Sequence, residues 1–312
     1  MSLADGGGPA WVRASAPAKI NLHLGVGPVR YDGFHPLATV YQAVGMLDEV
    51  TVAPAADWTV TVAGDERLAL SDVPEDGTNI AVRAARLLAE HAGLDEPVSV
   101  RIDKGIPVAG GMAGGSADAA AALVACDALW QLGTPREELM LLAAELGSDV
   151  PFALVGGTAV GTGRGEVVVP AMVRGDYWWV VTGAAQGLST PQVYGEFDVI
   201  ADGLGIGEPE IPDELMEALR AHDLEKLALS LHNDLEPAAI RLRPELSDVL
   251  ATGIDETALG ALVSGSGPSC LFLCSGREHA HQVAQSLRVA KAGDPVTVAR
   301  GPVPGARVER FG

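Results

Sequence analysis

The chain has 312 residues and a formal net charge of −20, with 41 acidic against 21 basic side chains. This charge argues against a nucleic-acid partner or an anionic membrane surface, and a phosphorylated ligand would need positive charge supplied locally. Aliphatic residues dominate, since 48% of the chain is hydrophobic but only 4% is aromatic.

Cysteine usage and the first residues indicate the compartment. Cys126, Cys270 and Cys274 are too few for a disulfide framework. Cys270 and Cys274 lie in an apolar stretch and are typical of small core residues, with a metal-binding pair as the alternative. The first ten residues are glycine-rich without an apolar stretch, so we expect disorder there and no signal peptide. No apolar run of the sequence approaches membrane length. These features predict a cytoplasmic protein without a membrane partner.

The first predicted elements are two paired strands, 12–15 and 20–26, joined by Ala16–Pro17–Ala18. Lys19 and Asn21 lie two residues apart at the start of the second strand. Side chains at that spacing point to the same face of a strand. A lysine of this kind has two interpretations, an edge-strand lysine or a functional group paired with Asn21.

A loop at 30–36 carries an aromatic pair, a histidine and a turn glycine. Loops with this chemistry often bind ligands, and the alternative is an Asp-Gly turn in which Phe34 fills the core and His35 is solvated. Further strands are predicted at 40–44, 49–53 and 59–63. Asn79 is expected to cap a helix at 80–91.

A strand at 98–103, a glycine-rich loop at 109–115 and an alanine-rich helix at 116–132 follow in sequence. A glycine loop opening a helix presents backbone N–H groups at the positive end of the helix dipole, where a phosphate binds. Ser116 would cap the helix or reach a metal or phosphate oxygen. The spacing matches neither a Walker A loop nor a dinucleotide fingerprint, and a tight strand-to-helix turn is the alternative.

The next helix is predicted to start at a Thr134–Glu137 capping box and to end at Gly147. Asp149 then lies before an apolar strand, with Pro151 forcing Val150 into an extended conformation. A carboxylate placed there needs a partner. A hairpin at 155–164 and a buried strand at 177–182 follow.

The C-terminal part begins with a polar linker at 202–207. Its predicted elements, in chain order, are helices at 212–221, 224–231 and 244–252, a strand–loop–strand at 258–274, a helix at 278–287 and a strand at 296–299.

Three ordered segments, 16–22, 107–120 and 262–269, resemble the three motifs of the GHMP kinase superfamily. The resemblance implies an α+β fold of two domains, with the active site between them. The N-terminal domain, 11–170, would be like ribosomal protein S5 domain 2, and the C-terminal domain, 171–312, would be ferredoxin-like. Further segments, 30–35, 146–152, 189–194 and 233–237, are similar to the branch that phosphorylates the 2-hydroxyl of a cytidyl diphosphate of methylerythritol.

The resemblance also implies roles for individual residues. Asp149 would be the general base and Lys19 its partner, with ATP and Mg²⁺ as cofactors and a small molecule as the only partner. Mg²⁺ would arrive with ATP, because no cluster of carboxylates indicates a metal cage. The implied ATP contacts are Asn79, Lys104, Pro107, Val108, Ala109, Gly110, Gly111, Met112, Ala113, Gly114, Gly115 and Ser116. The implied substrate contacts are Asn21, Phe34, His35, Thr190 and Tyr194. We expect a monomer or a weak homodimer.

The chain departs from the family's usual glycine loop at three positions. Ala113 replaces a glycine and argues against a positive φ there, so we expect the positive φ at Gly114. Ala117 lacks a hydroxyl, and Asp118 adds a negative charge near the phosphates. Phe34 stands where tyrosine is usual. Alternatives are a homoserine or mevalonate kinase, which lack the Asp-Gly-Phe-His loop, or a non-catalytic binding protein of the same fold.

Overall fold

The structure is a computed structural model, and it describes residues 9–65, 68, 70–108, 110–184 and 186–312. Disorder predicted for the first ten residues therefore falls almost entirely outside the described part of the chain. Within that part, no helix is both long and apolar enough to cross a membrane.

The described chain contains both strands and helices throughout its length, mostly in runs of two or three of one kind. The strands are β1 (Val12–Val26), β2 (Leu37–Pro54), β3 (Thr59–Gly64), β4 (Val98–Lys104), β5 (Thr158–Thr162), β6 (Val167–Pro170), β7 (Tyr177–Thr182), β8 (His232–Asn233), β9 (Gly260–Val263), β10 (Cys270–Cys274), β11 (Val296–Gly301) and β12 (Arg307–Phe311). The helices are α1 (Ile80–His91), α2 (Gly114–Leu129), α3 (Arg136–Leu146), α4 (Val150–Val155), α5 (Thr190–Ala201), α6 (Asp213–Ala221), α7 (Leu224–Ser230), α8 (Glu236–Leu242), α9 (Glu245–Asp255) and α10 (Arg277–Ala290).

The first sheet is built on the long antiparallel pair β1–β2 and has the order β12-β1-β2-β4-β3. β5 extends it beside β2, and β6 pairs with β5 as the predicted hairpin. β3 runs parallel to β4. The C-terminal strand β12 returns to pair with β1. The two ends of the described chain therefore meet in the same sheet.

Helix α2 packs across the face of this sheet, and its alanines explain how. The side chains of residues 119–122 are fully buried. Because alanine is a strong helix former with a very small side chain, the helix approaches the strands closely without losing helix propensity. The aliphatic core that the composition predicted lies between this helix, its neighbour α1 and the sheet.

The second sheet has four antiparallel strands in the order β11-β7-β10-β9. Helix α10 packs on it, and its core includes Cys270 and Cys274, which are buried free cysteines as expected. Burial raises the pKa of each of these thiols to about 12. Two sheets, each with its own helices, match the two-domain α+β fold that the sequence motifs implied.

Several local expectations were wrong. Residues 12–26 form the single strand β1, which pairs with β2 rather than with itself. Pro151 does not extend the chain, because proline is tolerated in the first turn of a helix, and residues 150–155 form α4. Thr134 is not a cap, since α3 begins after Pro135 without a side-chain cap. Helices α5 and α8 were not predicted.

Candidate active site

A cavity of about 900 Å³ lies between the first sheet with its glycine loop and, on the C-terminal side, helix α5 and the segment at 265–266. It is lined by all the site residues expected from the sequence except two. Ala109 lies outside the described residues, and Ser116 is not among the lining residues. The same cavity is thus lined by residues distant in sequence, such as Lys19, Phe34, Asn79 and Tyr194.

The glycine-rich loop enters α2 through a left-handed turn. Ala113, the residue before the helix, has φ 58° and ψ 36°. The expectation that alanine would prevent a positive φ here was wrong, and positive φ also occurs at Gly111 rather than at Gly114. Ser116 lies inside the helix and does not cap it. The N–H groups of the first helical turn are therefore free of side-chain caps at the cavity.

Two contacts hold this loop against the rest of the site. The backbone N–H of Lys19 donates to the carbonyl oxygen of Met112 at 3.0 Å. On the other side, a Cβ at Gly111 would overlap the carbonyl oxygen of Ser264 and lie 2.9 Å from that of Gly267. Only glycine allows this approach, so the first and third sequence motifs meet through backbone at the loop.

Lys19 and Asp149 face each other in the cavity, with 3.7 Å between Nζ and Oδ2. Lys19 also donates to Asn21 Oδ1 at 2.9 Å, as expected for side chains on one face of β1. Asp149 occupies the position before α4, and its backbone carbonyl accepts from Ala153. The helix therefore places the carboxylate, which is about one-third exposed, beside a nearly buried ammonium.

Tyr41 was missed by the sequence reasoning and completes this group. It lies on β2, opposite Asn21 in the strand register, with its ring 5.1 Å from Lys19 Nζ. Burial, and then the nearby charge of Asp149, raise the pKa of Tyr41 well above its ordinary value. Its position could be found only from the β1–β2 register, since no motif marks it.

Lys104 lies under the loop between two carboxylates. Its ammonium pairs with Asp48 and, at 2.8 Å, with Asp118; the three side chains are 2%, 0% and 3% exposed, respectively. Asp48 Oδ1 additionally accepts from the backbone N–H of Gly105 and Ile106. Asp118 Oδ1 is buried without a hydrogen-bond partner. Asp118, expected to place a free charge near the phosphates, instead belongs to this buried cluster.

The electrostatics of the cluster are asymmetric. Burial raises the pKa of Asp118 well above its usual range, and Lys104 offsets this only in part. Burial by itself would lower the pKa of Lys104, but Asp118 and Asp48 together outweigh it and raise that pKa. One ammonium thus faces two buried carboxylates, of which Asp48 has the better hydrogen bonds.

Also lining the cavity, His35 and Tyr194 have ring centroids 5.1 Å apart. His35 is buried, and its Nδ1 lies 2.8 Å from the carbonyl oxygen of Gly27, which only accepts, so Nδ1 carries a proton. Nε2 lies 3.5 Å from Asp198 Oδ1. Phe34 is half exposed and does not fill the core, with the Arg164 guanidinium 4.7 Å from its ring centroid.

The remaining polar residues are already engaged with the protein. Asn79 caps α1 by accepting from Ala81 N–H at 2.9 Å and donates to the Pro74 carbonyl. The Thr190 hydroxyl is 2.9 Å from that of Ser266. Asn233 donates to the carbonyls of Val263 and Gly265 and so braces the third motif.

The residues lining this cavity fit a nucleoside triphosphate. The loop offers backbone N–H groups and a helix N-terminus, and glycine at position 111 lets the loop lie against the carbonyls of Ser264 and Gly267. Among the described residues, no group of three or more His, Cys, Asp or Glu side chains converges on a metal position. Asp149 and the unpartnered Oδ1 of Asp118 are carboxylate oxygens on this cavity, so a hard cation would rely mainly on phosphate and water ligands.

Two family profiles match the chain: GHMP kinases N terminal domain over residues 79–157, and GHMP kinases C terminal over residues 215–291. Proteins named 4-diphosphocytidyl-2-C-methyl-D-erythritol kinase are close relatives. One from a Nocardioides species is 56% identical over 297 residues, covering 95% of this chain and 99% of that protein. One from Thermobifida fusca is 52% identical, covering 96% and 99%.

Solved structures agree in fold. A crystal structure of 4-(cytidine 5'-diphospho)-2C-methyl-D-erythritol kinase is 32% identical, with a TM-score of 0.74 over 92% of this chain and 98% of that chain. Mevalonate kinase from L. major in complex with R-mevalonate has the same TM-score of 0.74 at 16% identity, over 96% of this chain and 97% of that chain. At that identity the likeness concerns the fold alone.

Proposed function

The chain belongs to the GHMP kinases, and we propose that it transfers the γ-phosphoryl group of ATP to the 2-hydroxyl of 4-diphosphocytidyl-2-C-methyl-D-erythritol. The reaction forms the 2-phosphate and ADP and belongs to the non-mevalonate route to isoprenoid precursors. One observation carries the proposal: a single cavity joins the glycine loop, the Lys19–Asp149 pair and the aromatic loop with His35. The 56% identity to a kinase of that name over nearly its whole length supports the same substrate.

We propose that Asp149 is the general base and that Lys19 is its electrostatic partner. Phosphoryl transfer has a loose transition state, in which positioning and charge stabilisation do most of the work. A base is needed to take the hydroxyl proton, and one carboxylate suffices. The 3.7 Å between Lys19 Nζ and Asp149 Oδ2 leaves both groups able to contact a hydroxyl placed beside them.

The phosphates would be held by the backbone of the glycine loop and the N-terminus of α2, within the residues predicted as ATP contacts. Mg²⁺ would neutralise the triphosphate and keep several waters. Lys104 would act on the nucleotide through the loop, since its ammonium is already engaged by Asp48 and Asp118. Asn21 and Asp149 would face the methylerythritol, while Phe34, His35 and Tyr194 hold the cytosine and Thr190 lies nearby.

We also propose that the protein works in the cytoplasm as a monomer or weak homodimer, divided into domains at 11–170 and 171–312. In this division β12 belongs in sequence to the second domain but pairs with β1 of the first. Sedimentation at several protein concentrations tests the oligomeric state.

The test of the function is ATP turnover with the cytidyl substrate beside its uridyl analogue, homoserine and mevalonate. We expect turnover with the cytidyl substrate and far less with the other three. A preference for homoserine or mevalonate would contradict the substrate, and ATP binding without any turnover would favour a non-catalytic protein.

Asp149→Asn tests the chemistry. We expect kcat to fall by roughly two to four orders of magnitude, the usual scale for a general base, with ATP affinity unchanged. Asp57→Asn removes an exposed carboxylate outside the cavity and serves as the control. A loss in Asp149→Asn of less than about tenfold in kcat would reduce Asp149 to a structural role.

A further inference from the structure

A second cavity, of about 610 Å³, lies at the other end of α4 from Asp149. It is bounded by the end of that helix at Val155 and Gly156, by residues 170–174 at and after the end of β6, and by Pro302 after β11. None of its lining residues lines the catalytic cavity. A helix of six residues is about 9 Å long, so the two spaces are close but separate.

Three arginines, Arg136, Arg174 and Arg220, line this cavity, and its lining residues in the described chain include no acidic side chain. The chain carries 41 acidic and 21 basic residues, so a cluster of cations without a carboxylate runs against its overall balance. The backbone N–H of Arg174 donates to the Leu219 carbonyl at 3.1 Å. That bond holds Arg174 beside the residue preceding Arg220.

Acidic residues adjacent in sequence pair with other cations. Asp176 lies 3.4 Å from the Arg300 guanidinium, and Glu217 accepts from Lys226 at 2.8 Å. Arg136 makes one long contact, 3.5 Å, to the Leu154 carbonyl. The pKa of Glu217 is lowered mainly by Lys226, and the charge of Arg220 also contributes. Among the described residues, the side chains of Arg174 and Arg220 make no hydrogen bond or ion pair, so their guanidinium groups retain donors for an external anion.

Apart from Thr158, the rest of the lining is apolar. Val155, Pro170, Ala171, Met172 and Val173 form most of the wall, and Met172 is 82% exposed. A guanidinium group can donate two parallel hydrogen bonds to two oxygens of one phosphate group, and several arginines together suit a doubly charged phosphate. An apolar wall beside them suits a hydrocarbon body, and the volume falls in the range of small-molecule sites.

We propose that this cavity is a second ligand site, which binds an organic phosphate with a short apolar body. Arg136, Arg174 and Arg220 bind the phosphate head, and the apolar wall covers the hydrocarbon. The site is independent of the catalytic cavity and does not require the cytidyl substrate.

The test is calorimetric titration of n-hexyl phosphate into the full chain saturated with Mg²⁺, a non-hydrolysable ATP analogue and the cytidyl substrate. We expect binding at one site per chain. Arg174→Gln and Arg220→Gln should each weaken it about tenfold to a hundredfold, the range for a hydrogen bond to a charged group. Arg310→Gln, an exposed arginine on β12 outside the cavity, should leave it unchanged.

Three further probes test the chemistry of the ligand. Inorganic phosphate should bind at least about tenfold more weakly, because it buries no methylene groups. Hexanoate should bind more weakly for its single charge, and hexan-1-ol should not bind.

Four results would overturn the proposal: no binding of hexyl phosphate at millimolar concentration, loss of binding when the catalytic cavity is saturated, equal affinity for inorganic phosphate, or unchanged affinity in both arginine variants.

Discussion

Replacing Lys104 with methionine removes the only cation from the buried group formed with Asp48 and Asp118. The three side chains are at most 3% exposed, so water cannot take the place of the ammonium. Removing one partner of a buried ion pair leaves uncompensated charge and costs about 3–5 kcal/mol. We expect Lys104→Met to lower the free energy of unfolding by that amount near neutral pH, in the absence of ATP.

Asp118→Asn is the matched control. It removes the carboxylate that has an unpartnered oxygen and leaves Lys104 paired with Asp48, whose other oxygen accepts two backbone N–H groups. The lost attraction to Lys104 is offset by lost repulsion from Asp48 and by the avoided burial of a charge. We expect a change in unfolding free energy within about 1 kcal/mol. Urea unfolding followed by circular dichroism measures both variants.

The pH dependence of the free energy of unfolding gives a second test of this buried group. The folded pKa of Asp118 is raised above its ordinary value of 3.8, so the folded state binds the proton more tightly than the unfolded state. Stability contributed at this site is therefore present at low pH and is lost as pH rises from 3.8 through the raised folded pKa. Asp118→Asn should abolish this loss. Lys104→Met should be less harmful at acidic than at neutral pH, because protonation of Asp118 removes one of the two stranded negative charges.

Equal destabilisation by Lys104→Met and Asp118→Asn would refute the reasoning that Asp48 alone balances the ammonium. A cost for Lys104→Met below about 1 kcal/mol at neutral pH would show that the group is hydrated or rearranges.

Three further predictions concern ligands. Gly111→Ala should abolish ATP binding in calorimetry, because position 111 has φ 73° and a Cβ there would overlap a backbone carbonyl. Gly207→Ala is the control, since a Cβ at position 207 would lie in open space. Normal ATP affinity in a folded Gly111→Ala variant would contradict the prediction. Phe34→Ala and Tyr194→Ala should each raise KM about tenfold for both cytidyl and uridyl substrates, since stacking does not discriminate between bases. His35→Ala should instead narrow the ratio of their kcat/KM values, because the Gly27 carbonyl fixes the orientation of the imidazole, and a fixed ring edge can match the hydrogen-bonding pattern of one base and mismatch the other. An unchanged ratio would leave His35 as loop support.

The sequence by itself determined the elements and motifs whose physics is local. The glycine loop before an alanine-rich segment predicted α2 and an uncapped helix start after the loop, because helix propensity and glycine spacing act within a few residues. The period of two along β1 correctly placed Lys19 and Asn21 together. Asn79 as the cap of α1 was also confirmed.

Only the tertiary structure decided how these pieces meet. Lys104 pairs with Asp48 across 56 residues, and Tyr41 reaches Lys19 through strand register, so neither contact leaves a local pattern. Ala113 keeps a left-handed backbone because the surrounding contacts hold the loop, overriding a preference of about 1–2 kcal/mol per residue. Local propensities of that size decide single turns, whereas the positions of Asp149 and the buried cluster depend on which sheets and helices pack together.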